Sequence, residues 1–298
     1  MSNFKNFLFI YVLLCISGVI IALYCGYSAA QRSTEIVFCD VGQGDGAYIR
    51  TQNHIDILID AGPDEKILDC LHNNMPFFDN HIEFVFVSHL QKDHYGGLQY
   101  VGEQYTFGNI FVTQMLTESK DLFEGIIKNK YRGIETINEK SLISIDEKTF
   151  FKVFWPSENL KNQPDPNMLS HIMLFEDNGL SVIFTGDAQP ITLSYVEDQL
   201  KSYIKEHSIR IEILKVPHHG SLNGLTENFL TSVSPEIGII SSGKHNSYGH
   251  PSKRILEMLN VHNVSVFNTV ETSSIKTYIK GRRLVVEFLG RSHLYGVF

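Results

Sequence analysis

The sequence is poor in cysteine and carries no surplus of positive charge. Four cysteines in 298 residues are too few and too scattered for a disulfide framework or a zinc knuckle. Acidic residues outnumber basic ones by 33 to 25, and the net charge of -8 gives no support to a broad electrostatic grip on nucleic acid. Any contact with phosphate groups must therefore come from a local basic patch.

After residue 34 the sequence also lacks internal repeats, low-complexity runs and linkers. Hydrophobic residues make up 43% of the chain and charged residues 19%, a balance that allows a sizeable core and argues against disorder. We therefore predict one domain over residues 33–298, preceded by a separate N-terminal segment over residues 1–32.

Charge is absent between Phe7 and Gly26, where nearly every residue is apolar. A helix of about 20 apolar residues spans the hydrocarbon core of a bilayer. We therefore predict that residues 1–32 contain one N-terminal hydrophobic helix that anchors the chain in the cell membrane as a single-pass protein. Cleavage as a signal peptide after the small residues Ser28–Ala30 is the alternative, and would release a secreted protein. Both interpretations place the body of the protein outside the cytoplasm.

Cys39 falls in an apolar strand pattern and Cys70 in a helical one. Such positions favour two buried thiols. A Cys39–Cys70 disulfide in an oxidising compartment is the alternative, which stays open because a sequence does not give the distance between two Cα atoms.

Strand-like and helix-like patterns alternate over the rest of the chain. Ile82–Ser88 is apolar on both faces, as is typical of a strand buried between covering layers, whereas Lys120–Lys128 and Pro190–His207 have helical patterns. The simplest architecture is an α/β fold with two sheets and helices packed outside them. Several polar residues directly follow predicted strands, where a rigid sheet positions a site: Asp40, Asp60, His89, Asp187 and His218.

The strongest chemical signal is the segment from His89 to Gly97, which follows the buried strand. It places His89, Asp93 and His94 within six residues, and a loop allows such side chains to converge on one cation. Imidazole and carboxylate are the ligands expected for zinc or another first-row ion.

This segment resembles the metal-binding motif H-x-H-x-D-H of the metallo-β-lactamase superfamily, with Gln91 in place of the middle histidine. The order and spacing of five further segments resemble the hydrolase domain of ComEC-like competence proteins over residues 35–290. The resemblance implies an αββα sandwich with a metal site at the edge between the two sheets. The five segments are Asp40–Asp45, Leu58–Gly62, Phe184–Ala188, Lys215–Ser221 and Ser247–Pro251.

The resemblance also implies ligands for a divalent metal, zinc or manganese. One complete site would use Asp93, His94, Asp187 and His219, with His218 as the alternative to His219. A second site would use His89 and share Asp187, but Gln91 is a poor neutral donor and Asn167 stands near the position of a further family histidine. One ion is therefore expected and a second is uncertain. His171 is an additional histidine in a strand, where packing is the more common role.

For catalysis, the resemblance implies a hydrolase that uses a metal-activated water. The candidate catalytic residues are Asp93, Asp187, Asp45 and His250. Asp187 or Asp45 would orient or deprotonate the water, and His250 would stabilise the developing anion or protonate the leaving group. Asp40 and Asp60 are expected to orient ligands or to form turns.

The competence-protein resemblance favours a phosphodiesterase or nuclease, with DNA as the leading substrate. The chain has one hydrophobic segment instead of that family's multi-helix channel, so a transport role is not carried over. Hydrolysis of another ester or amide, such as a lactam or cell-wall component, and a non-catalytic metal-binding module are the alternatives. Five basic residues near the motifs are candidates for a phosphate-binding rim, or else form an ordinary solvated surface: Lys92, Lys215, Lys244, Lys253 and Arg254.

Overall fold

The computed structural model describes residues 2–30, 33–113, 125, 130–160, 165–244, 246–290 and 293–297. Within these ranges the strands are β1 (Glu35–Phe38), β2 (Gly46–Arg50), β3 (Asp56–Ala61), β4 (His81–Val87), β5 (Thr106–Val112), β6 (Tyr131–Thr136), β7 (Leu142–Ser144), β8 (Thr149–Trp155), β9 (Ile172–Asp177), β10 (Leu180–Phe184), β11 (Ile213–Lys215), β12 (Ile237–Ile240), β13 (Ser265–Asn268), β14 (Ile275–Lys280), β15 (Arg283–Phe288) and β16 (His293–Val297). The predicted helix at Lys120–Lys128 lies, apart from residue 125, outside the described residues.

The strands form two sheets, which confirms the predicted αββα sandwich. One sheet has the order β16-β15-β14-β1-β2-β3-β4-β5-β6, and the other has the order β13-β12-β11-β10-β9-β8-β7. Within each sheet a run of strands is parallel, β3 to β6 in the first and β10 to β13 in the second. The carboxyl ends of parallel strands meet at one edge, which is where loops can build a site.

The space between the sheets is filled by apolar side chains from both inner faces. Phe86 of β4 packs against Phe151 of β8 with ring centroids 4.4 Å apart, and Phe151 packs against Phe175 of β9 at 4.9 Å. All three rings are buried. Such tilted aromatic contacts add to the burial of apolar area and fix how the two sheets face each other.

Helices lie outside both sheets because their apolar stripes face inward. Buried side chains such as Leu71 and Val101 pack against the larger sheet, and Leu193, Phe229 and Leu259 pack against the smaller one. The described helices are α1 (Ser2–Ala30), α2 (Lys66–Asn74), α3 (Lys92–Tyr95), α4 (Leu98–Gln104), α5 (Pro190–His207), α6 (Glu227–Val233), α7 (Lys253–Val261) and α8 (Thr269–Thr272).

The N-terminal helix is present as α1, but the predicted membrane anchor is not supported. In the described part of the chain, no helix combines the length and the apolar character needed to cross a bilayer. The division of the chain into residues 1–32 and residues 33–298 stays a prediction.

The two core cysteines are joined, so the prediction of two buried thiols was wrong. A disulfide links Cys39, directly after β1, to Cys70 in α2, and their Cα atoms are 5.7 Å apart. Both residues are buried, as expected. In the folded chain, Cys70 of α2 lies next to the end of β1. The two cysteines are 31 residues apart in the sequence, so their proximity could not be predicted from it.

Removing this bridge should destabilise the domain. Closing a loop of this length removes unfolded-state entropy worth about 3.5 kcal/mol. We expect the double replacement Cys39→Ala and Cys70→Ala to lower the free energy of unfolding by about that amount in urea titrations of the full chain. Cys15→Ser, at a free and exposed cysteine, is the matched control and should leave the midpoint unchanged. Equal stability of the double variant and the wild type would contradict the bridge.

Candidate metal centre

Three residues in the loops at the edge between the sheets have a strained backbone conformation. His218 and His219 both have left-handed φ angles, of 52° and 54°, and Asp60 has a φ of 55°. Non-glycine residues adopt this region at a cost of about 1–3 kcal/mol each, and such strain concentrates at functional sites. Gly44 allows close approach of its own loop, because a Cβ there would lie 2.2 Å from the carbonyl oxygen of Asp93.

Four of the predicted ligands lie in one cluster. Asp93, His94, Asp187 and His219 each offer a donor atom, and all four atoms lie within 4.8 Å of one another. Oδ1 of Asp187 is 3.3 Å from Nε2 of His94 and 3.5 Å from Nε2 of His219. Asp93 and His94 follow β4 of the larger sheet, whereas Asp187 and His219 follow β10 and β11 of the smaller one, so the cluster joins the two sheets.

The donor atoms of this cluster fit a divalent cation. Among the described residues, Nε2 of His94, Nε2 of His219 and Oδ1 of Asp187 are buried without a hydrogen-bond partner. Buried polar atoms are normally paired, so unpaired atoms that face a common volume require another explanation. Two imidazole nitrogens and two carboxylates are a suitable ligand set for zinc or manganese.

Other carboxylates hold the two cluster histidines in orientation. Asp60 accepts a hydrogen bond from Nδ1 of His94 at 2.8 Å through one oxygen and from the backbone N–H of Ser88 at 2.8 Å through the other. On the second histidine, Nδ1 lies 3.0 Å from the Ser241 carbonyl oxygen and 3.3 Å from Oδ1 of Asp45. Contacts of this kind leave Nε2 free for a metal and increase the basicity of the ring.

Asp45 and Lys215 form a buried ion pair behind His219. The Lys215 Nζ lies 2.7 and 2.8 Å from the two carboxylate oxygens of Asp45, and both residues are buried. Lys215 therefore does not lie on a solvent-exposed phosphate-binding rim, and that interpretation is corrected. A lysine at the end of an otherwise apolar strand needs a buried partner, so the position of Lys215 in the sequence is itself a signal of such a pairing.

The predicted second metal site contains an amide pair. Nε2 of Gln91 donates a hydrogen bond to Oδ1 of Asn167, so the two residues at the positions of family histidines contact each other. His89 is buried next to His94, with ring centroids 4.1 Å apart, but it is not one of the four clustered ligands. Burial, followed by the charge of His94, lowers the pKa of His89 to about 3, so its ring is neutral.

Two serines that were not singled out as site residues also support the ligands. The Ser88 hydroxyl lies 3.1 Å from Nδ1 of both His89 and His94, and the Ser170 hydroxyl accepts the backbone N–H of Asp187 at 3.1 Å. Glycine is needed at position 186, because a Cβ there would lie 2.9 Å from the side chain of Ser88 and 3.3 Å from that of Ser170. A serine directly before a ligand histidine is a weak signal that sequence alone could offer.

His171 is separate from the four clustered ligands. It lines a cavity of about 10 Å³ together with Ser88, Asp60 and Lys215, which is roughly the space of one water molecule. Burial lowers the pKa of His171 to about 3, so the imidazole is neutral. The structure therefore places His171 beneath the centre, among packed side chains.

His218 and His250 lie on the more open side of the centre. Nε2 of His218 is 3.6 Å from Oδ2 of Asp187, whereas Nε2 of His219 lies near the other oxygen, Oδ1. The His250 ring is 5.8 Å from that of His218 and 6.5 Å from that of His219. Asp93, His218 and His250 are partly exposed, whereas His94, Asp187 and His219 are buried, so a substrate can approach from this side.

Asp40 lies farther out and forms a turn. Its carboxylate accepts the backbone N–H of Gly42 at 3.3 Å, and its own N–H donates to the Ser274 hydroxyl at 2.9 Å. This is the turn-forming role expected from the sequence.

The charge state of the histidines predicts how metal uptake depends on pH. Burial lowers the pKa of His219, but the carboxylates of Asp187 and Asp45 outweigh it and raise that pKa to about 9. Below pH 9 the metal-free ring therefore keeps a proton that a metal must displace. We expect the affinity for Zn²⁺ or Mn²⁺ to rise about tenfold per pH unit for each displaced proton. Competition titrations with a coloured chelator at pH 7 and pH 8 measure this, and an affinity independent of pH would contradict it.

Comparison with known proteins agrees with this geometry. The family model described as the metallo-beta-lactamase superfamily matches residues 40–245. ComE operon protein 3 of Bacillus subtilis is 25% identical over 286 residues, which cover 86% of this chain and 34% of that protein. Recombination protein 2 of Haemophilus influenzae is 26% identical over 283 residues, which cover 93% of this chain and 33% of that protein. The chain thus spans about a third of the length of these curated relatives.

Solved structures share the fold at low sequence identity. CmlA, a diiron β-hydroxylase from Streptomyces venezuelae, has a TM-score of 0.54 at 11% identity and covers 84% of this chain and 54% of its own. Zn²⁺-bound PqqB from Methylobacterium extorquens has a TM-score of 0.52 at 13% identity, covering 76% of this chain and 85% of its own. The resemblance to ComEC-like competence proteins is confirmed by the curated relatives. Because the family match covers more than half of the sequence, the chain belongs to the metallo-β-lactamase superfamily.

Proposed function

We propose that the protein is a metal-dependent phosphodiesterase that cleaves nucleic acid strands, with DNA as the leading substrate. The observation that carries this proposal is the cluster of Asp93, His94, Asp187 and His219, whose donor atoms lie within 4.8 Å of one another. The names of the curated relatives refer to competence and recombination, which supports a polynucleotide as the substrate class.

One divalent ion, zinc or manganese, would be held by these four residues. A cation in such a site lowers the pKa of water and polarises a phosphoryl oxygen. The contact between Gln91 and Asn167 supports a single ion, because neutral amides are poor replacements for histidine in a second site.

Side chains in and around the cluster would orient the water, donate to the leaving oxygen and position the ligands. Although burial raises the pKa of Asp187, His219 and His94 outweigh it and hold the pKa well below its usual range, so Asp187 stays ionised and can orient a water. Burial, followed by the charge of His218, lowers the pKa of His250. His250 is therefore neutral at pH 7, and its N–H can donate to the developing anion or the leaving oxygen. Asp45 acts from behind His219 as a positioning residue.

Turnover of bis-p-nitrophenyl phosphate with added Mn²⁺ or Zn²⁺ tests the reaction class. We expect the full chain to hydrolyse it, and we expect Asp93→Ala to reduce kcat/KM at least a hundredfold, because that substitution removes a ligand from the open side of the centre. Asp198→Ala, which removes an exposed carboxylate on α5 outside the cluster, is the control and should leave turnover unchanged. Hydrolysis of a chromogenic lactam without phosphodiester turnover would contradict the proposal, as would bound metal with neither activity.

We also propose that the domain functions in an oxidising compartment outside the cytoplasm. The Cys39–Cys70 disulfide supports this, since structural disulfides are rare in reducing compartments. Thiol titration of the denatured protein before and after reduction tests the bridge on which this proposal rests, because reduction should release two additional thiols.

A further inference from the structure

Three rings form a row that leads from the candidate metal centre to the protein surface. His218 begins the row, with Nε2 3.6 Å from Oδ2 of Asp187. The His250 ring centroid is 5.8 Å from that of His218, and the Tyr248 centroid is 5.7 Å beyond, from that of His250. Two rings, those of His218 and His250, thus stand between Asp187 and Tyr248, a position suited to a base attached near a phosphate at the centre.

The last ring is open to solvent although its loop is held in place. Tyr248 is 71% exposed and lies nearly parallel to His250, with an interplanar angle of 25°. Asn246 fixes the loop, since its Oδ1 accepts the His250 N–H at 2.9 Å and its Nδ2 donates to the carbonyls of Gly243 and His250 at 2.8 Å. A fixed and open aromatic face is a surface on which another planar ring can stack.

The net charge of the chain offers a polyanion no broad electrostatic attraction. That net charge is -8, and Lys215, four residues before the cluster residue His219, is buried against Asp45. Proteins that bind single strands combine phosphate contacts with stacking of bases on aromatic side chains, and stacking tolerates any base sequence. Where positive charge is scarce, stacking must supply more of the binding free energy.

We infer that Tyr248 forms a nucleobase subsite. The base of a nucleotide next to the scissile phosphate, or one removed from it, stacks on the Tyr248 ring, and the preferred substrate is a strand with unpaired bases. In a duplex the bases are stacked on one another and do not present a free face to this ring. This inference rests on the proposed phosphodiesterase activity and adds the form of nucleic acid that the site selects.

Two oligonucleotides that differ only in their bases test the subsite. One is a short fluorescent single strand of thymidine, and the other has the same backbone with abasic tetrahydrofuran residues. With the full chain and Mn²⁺, we expect KM to be about tenfold lower for the strand with bases. In Tyr248→Ala the ratio of the two KM values should fall to about one, whereas Tyr248→Phe should keep it.

The control is Tyr195→Ala, which removes a tyrosine of similar exposure, 61%, that stacks on Trp155 outside the row. It should preserve the wild-type ratio. A Tyr248→Ala variant that still distinguishes the two strands as the wild type does would overturn the subsite.

Binding measured by fluorescence anisotropy separates this inference from the proposed activity. If the wild type hydrolyses neither strand but binds the one with bases more tightly through Tyr248, the phosphodiesterase proposal fails and the subsite stands. If it hydrolyses both strands equally well and binds them equally, the subsite fails and the activity stands.

Discussion

Replacement of Asp187 by asparagine should reduce phosphodiester turnover at least a thousandfold, equivalent to about 4 kcal/mol of transition-state stabilisation. Asp187 is the central residue of the cluster, since its carboxylate lies 3.3 to 3.6 Å from ring nitrogens of His94, His219 and His218. Asparagine has nearly the same shape but no charge. The variant therefore loses one anionic ligand and the counter-charge for three imidazoles, and it should also lose bound metal.

The measurement pairs kcat/KM for bis-p-nitrophenyl phosphate with metal analysis of the same protein. Asp177→Asn is the matched control, because Asp177 is a buried carboxylate in the same sheet that is hydrogen-bonded to Thr34 and Thr149 at the other end of β9. It should keep both turnover and metal. If Asp187→Asn retains activity within about tenfold of the wild type, the cluster is not the reaction centre.

Replacement of Lys215 by methionine should lower the free energy of unfolding by about 3–5 kcal/mol. The substitution leaves the Asp45 carboxylate buried without its cation, and an uncompensated buried charge is far more costly than a lost surface pair. In the wild type, Lys215 and His219 more than offset the effect of burial and lower the pKa of Asp45. Urea unfolding of the metal-free protein measures the change.

Two further variants identify the cause of that loss. Lys253→Met removes a lysine that is exposed and paired with Glu257 on α7, and it should cost less than about 1 kcal/mol. Adding Asp45→Asn to Lys215→Met removes the orphaned charge and should restore most of the stability. It should not restore metal affinity, because the negative contact to Nδ1 of His219 is lost. A double variant as unstable as Lys215→Met alone would argue against the ion pair as the cause.

Many helices and strands could be predicted because local chemistry determines where they lie along the chain, whereas the full set of clustered residues was implied by the resemblance to a known family. Pro190–His207 was predicted with the same bounds that the structure shows, since proline begins the helix and its apolar positions recur at helical spacing. Asp93, His94, Asp187 and His219 each come within seven residues of the end of a strand, and their types match the ligands of a divalent ion. The strand at Tyr131–Thr136 was not predicted, because it is an edge strand with no buried residue and a weak apolar pattern.

Contacts between distant residues could not be predicted, because they depend on how the sheets pack. Three such contacts join segments that are far apart in the sequence: the Cys39–Cys70 bridge, the contact between Gln91 and Asn167, and the pairing of Lys215 with Asp45. The last pair is separated by 170 residues. His219 was predicted as the ligand with His218 as the alternative, and in the structure both rings approach Asp187, through different carboxylate oxygens.

The position of the cluster between the two sheets has a consequence for biosynthesis. A ribosome delivers Asp93 and His94 after β4, well before Asp187 and His219, which follow β10 and β11. All four side chains could bind one cation only after the two sheets have packed together, so the proposed metal would be acquired late in folding. A bound ion would link the two sheets through its ligands, and its binding free energy would add to the free energy of folding.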